Sequence, residues 1–183
     1  MADKIVLNIT ECYITGVVIS KEIKEILTRG LTSGYAGSNL RTPVDRGGFS
    51  FESSHYEGAE GVYHDEWLAQ ITGGGQEVVE VDGKKFTRLY AGGVAPVEQL
   101  EKLGITKKDV GGYLKWKIRG LGGGTRLDRT CMPTETDGDN REWRYAYRVL
   151  DHREDISLTL GEETIFYKGE TVFIHLFLLS PVE

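Results

Sequence analysis

No stretch of this chain is long and apolar enough to cross a bilayer as a helix. The longest apolar run, VFIHLFLL at 172–179, falls far short of the roughly 20 residues such a helix needs. Cysteine is almost missing: Cys12 and Cys131 are the only two, and neither sits in a CxxC pair. A disulfide framework is therefore not expected. Positive charge is not in excess either. The formal net charge is −6, which argues against non-specific nucleic-acid binding by the chain as a whole and leaves only a local basic patch open. The opening MADKIVLNIT has no signal-peptide pattern. A cytoplasmic protein is expected, and the Asn8-Ile9-Thr10 sequon reads as a chance match.

Catalytic signatures are also absent. The chain has no GxSxG elbow, no Walker pattern and no GxGxxG. His55 and His64 are too widely spaced for HxH or HExxH, and no Cys/His zinc spacing occurs. No metal site is expected, and the cofactor is left unknown.

What the chain does have is glycine and repetition. Its 183 residues suit one domain, which at that length buries about 70% of its unfolded surface. The 24 glycines are roughly twice the usual share and point to many tight turns. DEWLAQITGGGQEVVEVDGKKFTRL (65–89) aligns without gaps on DHREDISLTLGEETIFYKGETVFIH (151–175). Asp65 then falls on Asp151, Gly75 on Gly161, Glu77 on Glu163 and Gly83 on Gly169. Each copy holds two β-prone runs around a turn pair, Asp82-Gly83 or Lys168-Gly169. Those turns place Val81 opposite Lys84, Val79 opposite Phe86, Glu77 opposite Arg88, and Glu163 opposite Ile174.

The likeness continues upstream, where EILTRGLTSG (25–34) resembles KWKIRGLGGG (115–124). Both end segments of helical spacing, one with the stripe Ile23, Ile26, Leu27 and Leu31, the other with Val110, Leu114, Ile118 and Leu121. Ser20 is a candidate cap for the first, and Thr106 with Asp109 has capping-box form for the second. The glycines at 122–124 follow a helix and do not lead into one, so they suit a helix exit better than a phosphate cradle. A basic surface of Lys115, Lys117, Arg119, Arg126 and Arg129 remains beside them. A short helix is expected after Pro96, closed by Gly104. The repeat thus spans about 20–94 and 106–180, with a strand-like segment at 1–19 and a loop at 129–143.

Predicted architecture follows: α+β, mainly antiparallel strands with two or three short helices, in two pseudo-symmetric halves of one domain. A pocket is expected where the halves meet. Candidate ligand-binding residues are Tyr35, Asp65, Trp67, Glu77, Arg88, Asp151 and Glu163. The acids carry two readings. Glu77 and Glu163 converge on a pocket with Asp65 and Asp151, or Glu77 simply pairs with Arg88 while Glu163 sits at an exposed strand end. WRYAYRV (143–149) reads as a strand with its aromatic side chains on one face and Arg144 and Arg148 on the other.

YEGAEGVYHD (56–65), GGQEVV, YAGG (90–93) and GEETIFYKGETV (161–172) resemble an uncharacterised domain family. Its members often follow XRE-type helix-turn-helix modules in bacterial and archaeal regulators. The resemblance runs from about Ile23 to Val172. It departs from the family in lacking the helix-turn-helix, and in ending the second copy with HLFLLS where an aromatic followed by glycines is expected. It transfers no catalytic residue and implies a sensory or assembly role. Three functions are therefore carried forward. The first is a non-catalytic binder of a small polar molecule. The second is an enzyme using at least two of His64, Asp65, Asp151 and His152. The third is a homodimeric interaction module using the 172–179 strand as an exposed edge.

Overall fold

The computed structural model describes residues 21–37, 41–68, 72–121 and 142–182. The expected strand at 1–19, the Ser20 cap, the glycine exit at 122–124 and nearly all of the 129–143 loop lie outside the described residues. In chain order the elements are α1 (Lys21–Ser33), β1 (Thr42–Arg46), β2 (Phe49–Gly58), β3 (Gly61–Trp67), β4 (Thr72–Val81), β5 (Lys84–Val94), α2 (Val97–Lys102), α3 (Lys107–Leu121), β6 (Trp143–Arg153), β7 (Leu158–Tyr167) and β8 (Glu170–Val182). The strands form one antiparallel sheet in the order β1-β2-β3-β4-β5-β8-β7-β6. The fold is α+β and mostly sheet.

Both expected hairpins form. Asp82 and Gly83 take φ of 51° and 73°, and Lys168 and Gly169 take 51° and 87°. These are the paired positive angles that a tight two-residue hairpin requires. In the first hairpin Val81 meets Lys84, Val79 meets Phe86 and Glu77 meets Arg88, as the turn predicts. The second departs by one residue: Ile165 pairs with Phe173 and Phe166 with Thr171, leaving Val172 as an extra residue. That bulge puts His175, not Ile174, opposite Glu163. Glu163 is 0% exposed, not at an exposed strand end.

The 172–179 strand is not an edge. As β8 it lies in the middle of the sheet between β5 and β7, and the edges are β1 and β6. Its continuous apolar character combines an inward face with buried Phe173, Phe177 and Leu179 and an exposed outward face of Ile174, Leu176 and Leu178.

The helices bury the stripes their spacing predicts. In α1 these are Ile23, Ile26, Leu27 and Leu31; in α3 they are Val110, Leu114 and Ile118. Leu121, at the end of the second stripe, is exposed. Each such side chain contributes about 1.5–3 kcal/mol when fully buried. Gly30 lets α1 settle on β3, because a Cβ there would stand 2.1 Å from Tyr63 Cγ. Tyr113 of α3 stacks on Trp143 of β6 at 4.9 Å. Ahead of α3 the capping box forms. Thr106 N–H donates to Asp109 Oδ2 at 2.8 Å, and Asp109 N–H to Thr106 Oγ1 at 3.3 Å. α2 is tied to β8 by the Ala95 N–H on Val172 O (2.9 Å) and Gln99 Nε2 on Thr171 O (3.1 Å).

Candidate functional site

The sheet's helix-covered face alternates as strands must. On β3 Tyr63, Asp65 and Trp67 point inward and are buried. They pair with Val79, Glu77 and Gly75 of β4, which pair with Phe86, Arg88 and Tyr90 of β5. Over this surface stand the turn after α1 and one face of α3. Between them lies a cavity of about 720 Å³.

Its inner end is polar and already connected. Tyr90 donates its hydroxyl to Asp65 Oδ1 at 3.0 Å. It can do so because Gly75 leaves the path clear: a Cβ there would lie 2.5 Å from that hydroxyl. Glu77 accepts from Tyr63 at 2.8 Å and from Arg88 Nη2 at 2.7 Å, and its other oxygen meets Arg88 Nε. Burial, then the nearby Glu77 and Asp65 carboxylates, push the Tyr63 hydroxyl well above the ordinary tyrosine value, so it stays a donor. His175 lines the same cavity. Its ring lies beside Phe173 (4.4 Å) and Tyr90 (5.5 Å), with its Nδ1 3.9 Å from Glu163 Oε2. Glu163 Oε1 accepts from Tyr145 at 2.6 Å.

The mouth has a different character. Tyr35 and Trp67 meet edge to face at 6.2 Å. The Arg41 guanidinium stands 5.6 Å from the Tyr35 ring and 5.7 Å from that of Trp67. It is also paired with Glu52 at 3.2 Å. Lys115 Nζ sits 5.2 Å from the Tyr35 ring. Partial burial, then repulsion from Arg41 and Arg119, lowers its pKa, with Glu52 opposing. A surface of this kind offers stacking, cation–π contact and charge pairing within one opening.

Four of the seven candidates, Tyr35, Asp65, Trp67 and Glu77, line the cavity. Arg88 stands one step back, binding Glu77 from the next strand. Glu163 lies behind His175 and does not join Glu77 at the cavity wall. Asp151 is exposed on the edge strand β6, opposite Leu160. Of the four residues an acid–base enzyme was expected to draw on, only Asp65 lines the cavity. His64 faces the other side of the sheet with Glu66, whose carboxyl is held below its ordinary value by Arg46 and then His64. His152 bonds Thr159 at 2.8 Å. Among the described residues, no group of three or more His, Cys, Asp or Glu is arranged to hold a metal ion.

Two contributors escaped the sequence reading. His175 was hidden by the bulge, which has no local signal. The roof of the cavity had one: Lys108, Gly111, Gly112 and Lys115 recur at the spacing of a single helical face. Adjacent glycines inside a helix are costly enough to prompt the question of what they face.

Comparison of the chain with protein-family models, with curated proteins and with solved structures gives no match.

Proposed function

We propose that this chain is a small-molecule-binding or sensory domain that holds its ligand without catalysis. The cavity carries the reading. At about 720 Å³ it falls within the roughly 300–1,000 Å³ of small-ligand sites, and it gathers Tyr35 from the turn after α1, Asp65 and Trp67 from β3 and Glu77 from β4. Its inner carboxylates each accept hydrogen bonds from a tyrosine or a guanidinium, which suits fixed recognition better than proton transfer. Resemblance to domains that follow helix-turn-helix modules supports a sensory role. A cytoplasmic location belongs to the same proposal; no helix among the described residues is long and apolar enough to span a membrane.

The proposal includes two pseudo-symmetric halves, related by an axis through the paired Tyr90 and Phe177. Matching contacts support it. Tyr63 donates to Glu77 and Tyr145 to Glu163, each from the strand beside its acceptor.

Native mass spectrometry of freshly purified protein tests the reading, with a thermal-shift screen of metabolites beside it. A stoichiometric extra mass lost on denaturation, or a stabilising metabolite, is expected, and Asp65→Ala and Trp67→Ala should weaken either. A bare mass together with no stabilising compound would overturn it.

A second reading has its own observation. Leu89, Ile174, Leu176 and Leu178 are exposed on the outward face of β5 and β8. Leu89 pairs with Leu178, and Ala91 with Leu176, so the patch is continuous across the sheet's centre. Its proposed occupant is a second copy of this chain, since an antiparallel pair presents nearly the same pattern after a half-turn. Light scattering should give a dimer that Leu176→Glu dissociates. A monomeric parent would end this reading.

A further inference from the structure

We infer that the cavity's ligand is a flat aromatic anion, its ring slotted between α3 and the sheet and its negative group on Lys115. The inference rests on the binding reading above and names the ligand class for that site.

Three features of the cavity converge on it. The first is charge. Arg41 is already paired with Glu52, but among the described residues no carboxylate stands within ion-pair distance of Lys115 or Lys108, both of which line the cavity. Lys115 is half-buried beside Arg41, Arg119 and an aromatic ring. The carboxylate whose field reaches it, Glu52, is already paired with Arg41, so Lys115 has no direct ion pair among the described residues and can receive an anion.

The second is shape. Walls of the mouth are the rings of Tyr35 and Trp67. The floor includes Gly73, Gly74, Gly92 and Gly93, and the roof Gly111 and Gly112. The floor glycines have partial explanations in the sheet: a Cβ on Gly92 would lie 2.0 Å from Ile174 O, and on Gly74 2.4 Å from Tyr90 O. The roof glycines have none. A Cβ on either would meet nothing within 4 Å, so no packing among the described residues demands them. The roof thus presents bare backbone at Gly111 and Gly112, over a floor where glycines lie among the side chains of Asp65, Glu77, Tyr90 and Phe173. A ring fits such a slot where a bulky aliphatic group does not.

The third is polarity along the slot. Lys115 and Arg41 are at the mouth, whereas Asp65, Glu77 and His175 lie within. An anion is therefore drawn to the outer end, where Lys115 stands, while the inner carboxylates are already engaged by Tyr90, Tyr63 and Arg88. The ring enters first.

Calorimetric titration of the full chain with 2-naphthoate, its neutral isostere 2-naphthamide and cyclohexanecarboxylate tests this. Naphthoate should bind at least about tenfold more tightly than either, the ratio expected from one charge-assisted contact. Lys115→Met should bring naphthoate down to the amide and leave the amide unchanged. The Gly111→Ala/Gly112→Ala double variant should melt at higher temperature, because alanine favours the helix, yet bind both aromatics more weakly. That opposition separates a ligand slot from a structural role. Equal affinity for naphthoate and naphthamide would overturn the anion and leave the cavity reading intact. Equal affinity for cyclohexanecarboxylate, or unchanged binding in the double variant, would overturn the slot. Binding of none of the three would overturn the ligand class, and the retained mass and metabolite screen would then judge the cavity reading alone.

Discussion

Arg88 offers the sharpest test of how the inner end of the site is held. It is 1% exposed and Glu77 is 2% exposed, so neither charge can turn to water. Replacing Arg88 with Met keeps much of the side chain's bulk beside Phe177, whose ring lies 5.3 Å from the guanidinium. It removes both contacts to Glu77 and leaves that carboxylate with Tyr63 as its remaining side-chain donor among the bonds described above. Stranding one member of a buried pair costs about 3–5 kcal/mol, against a total stability of about 5–15 kcal/mol. At about 2–4 °C per kcal/mol for a domain of this size, the melting temperature should fall by roughly 6–20 °C. The companion Glu77→Gln/Arg88→Met should regain more than half of the loss, since the amide oxygen still accepts from Tyr63 and no buried charge remains. Urea unfolding of parent, both singles and the double gives the coupling directly. Arg88→Met within about 1 kcal/mol of the parent, or additive single effects, would refute the claim that the guanidinium neutralises Glu77.

Gly30→Ala would place a methyl 2.1 Å from Tyr63 Cγ; overpacking of about 1–3 kcal/mol is expected by urea unfolding, although alanine is the better helix former. Thr106→Ala should cost α3 about 0.5–2 kcal/mol as a lost cap. The Asp109 carboxyl is held below its ordinary value, first by the Thr106 hydroxyl and then by its backbone N–H. Its contribution is therefore present above the ordinary aspartate range and lost as pH falls through the lowered value. Carboxyl titration by NMR should show that midpoint rise toward normal in Thr106→Ala. Lys115 must be protonated to hold an anion and has a lowered pKa, so naphthoate affinity should decline as pH rises, with a midpoint below the ordinary lysine value of 10.5. A decline centred at or above that value would show that another group binds the anion.

Much of the architecture could be read from local chemistry. Asp82-Gly83 and Lys168-Gly169 announced their turns, the aliphatic stripes announced α1 and α3, and Thr106 with Asp109 announced where α3 begins. The cavity was legible only in part, for two physical reasons. One is the bulge at Val172, which moved the second hairpin by one residue and so replaced Ile174 with His175 opposite Glu163; bulges arise from strand curvature, not from residue type alone. The other is tertiary: Lys115 reaches Tyr35 across many residues of sequence, and no spacing rule links them.

These two gaps bear on whether a repeat makes one site or two. On the proposed axis, Glu77 with Arg88 corresponds to Glu163 with His175, and Tyr90 corresponds to Phe177. Each acid keeps its tyrosine donor, so the supporting contacts match where they brace the sheet. Differences fall on side chains around the cavity: guanidinium against imidazole, and a tyrosine that reaches Asp65 against a phenylalanine that reaches no acid. Two equivalent sites would have held those positions alike. Under the proposed symmetry, retained bracing with divergent cavity walls favours one asymmetric site over two equivalent ones.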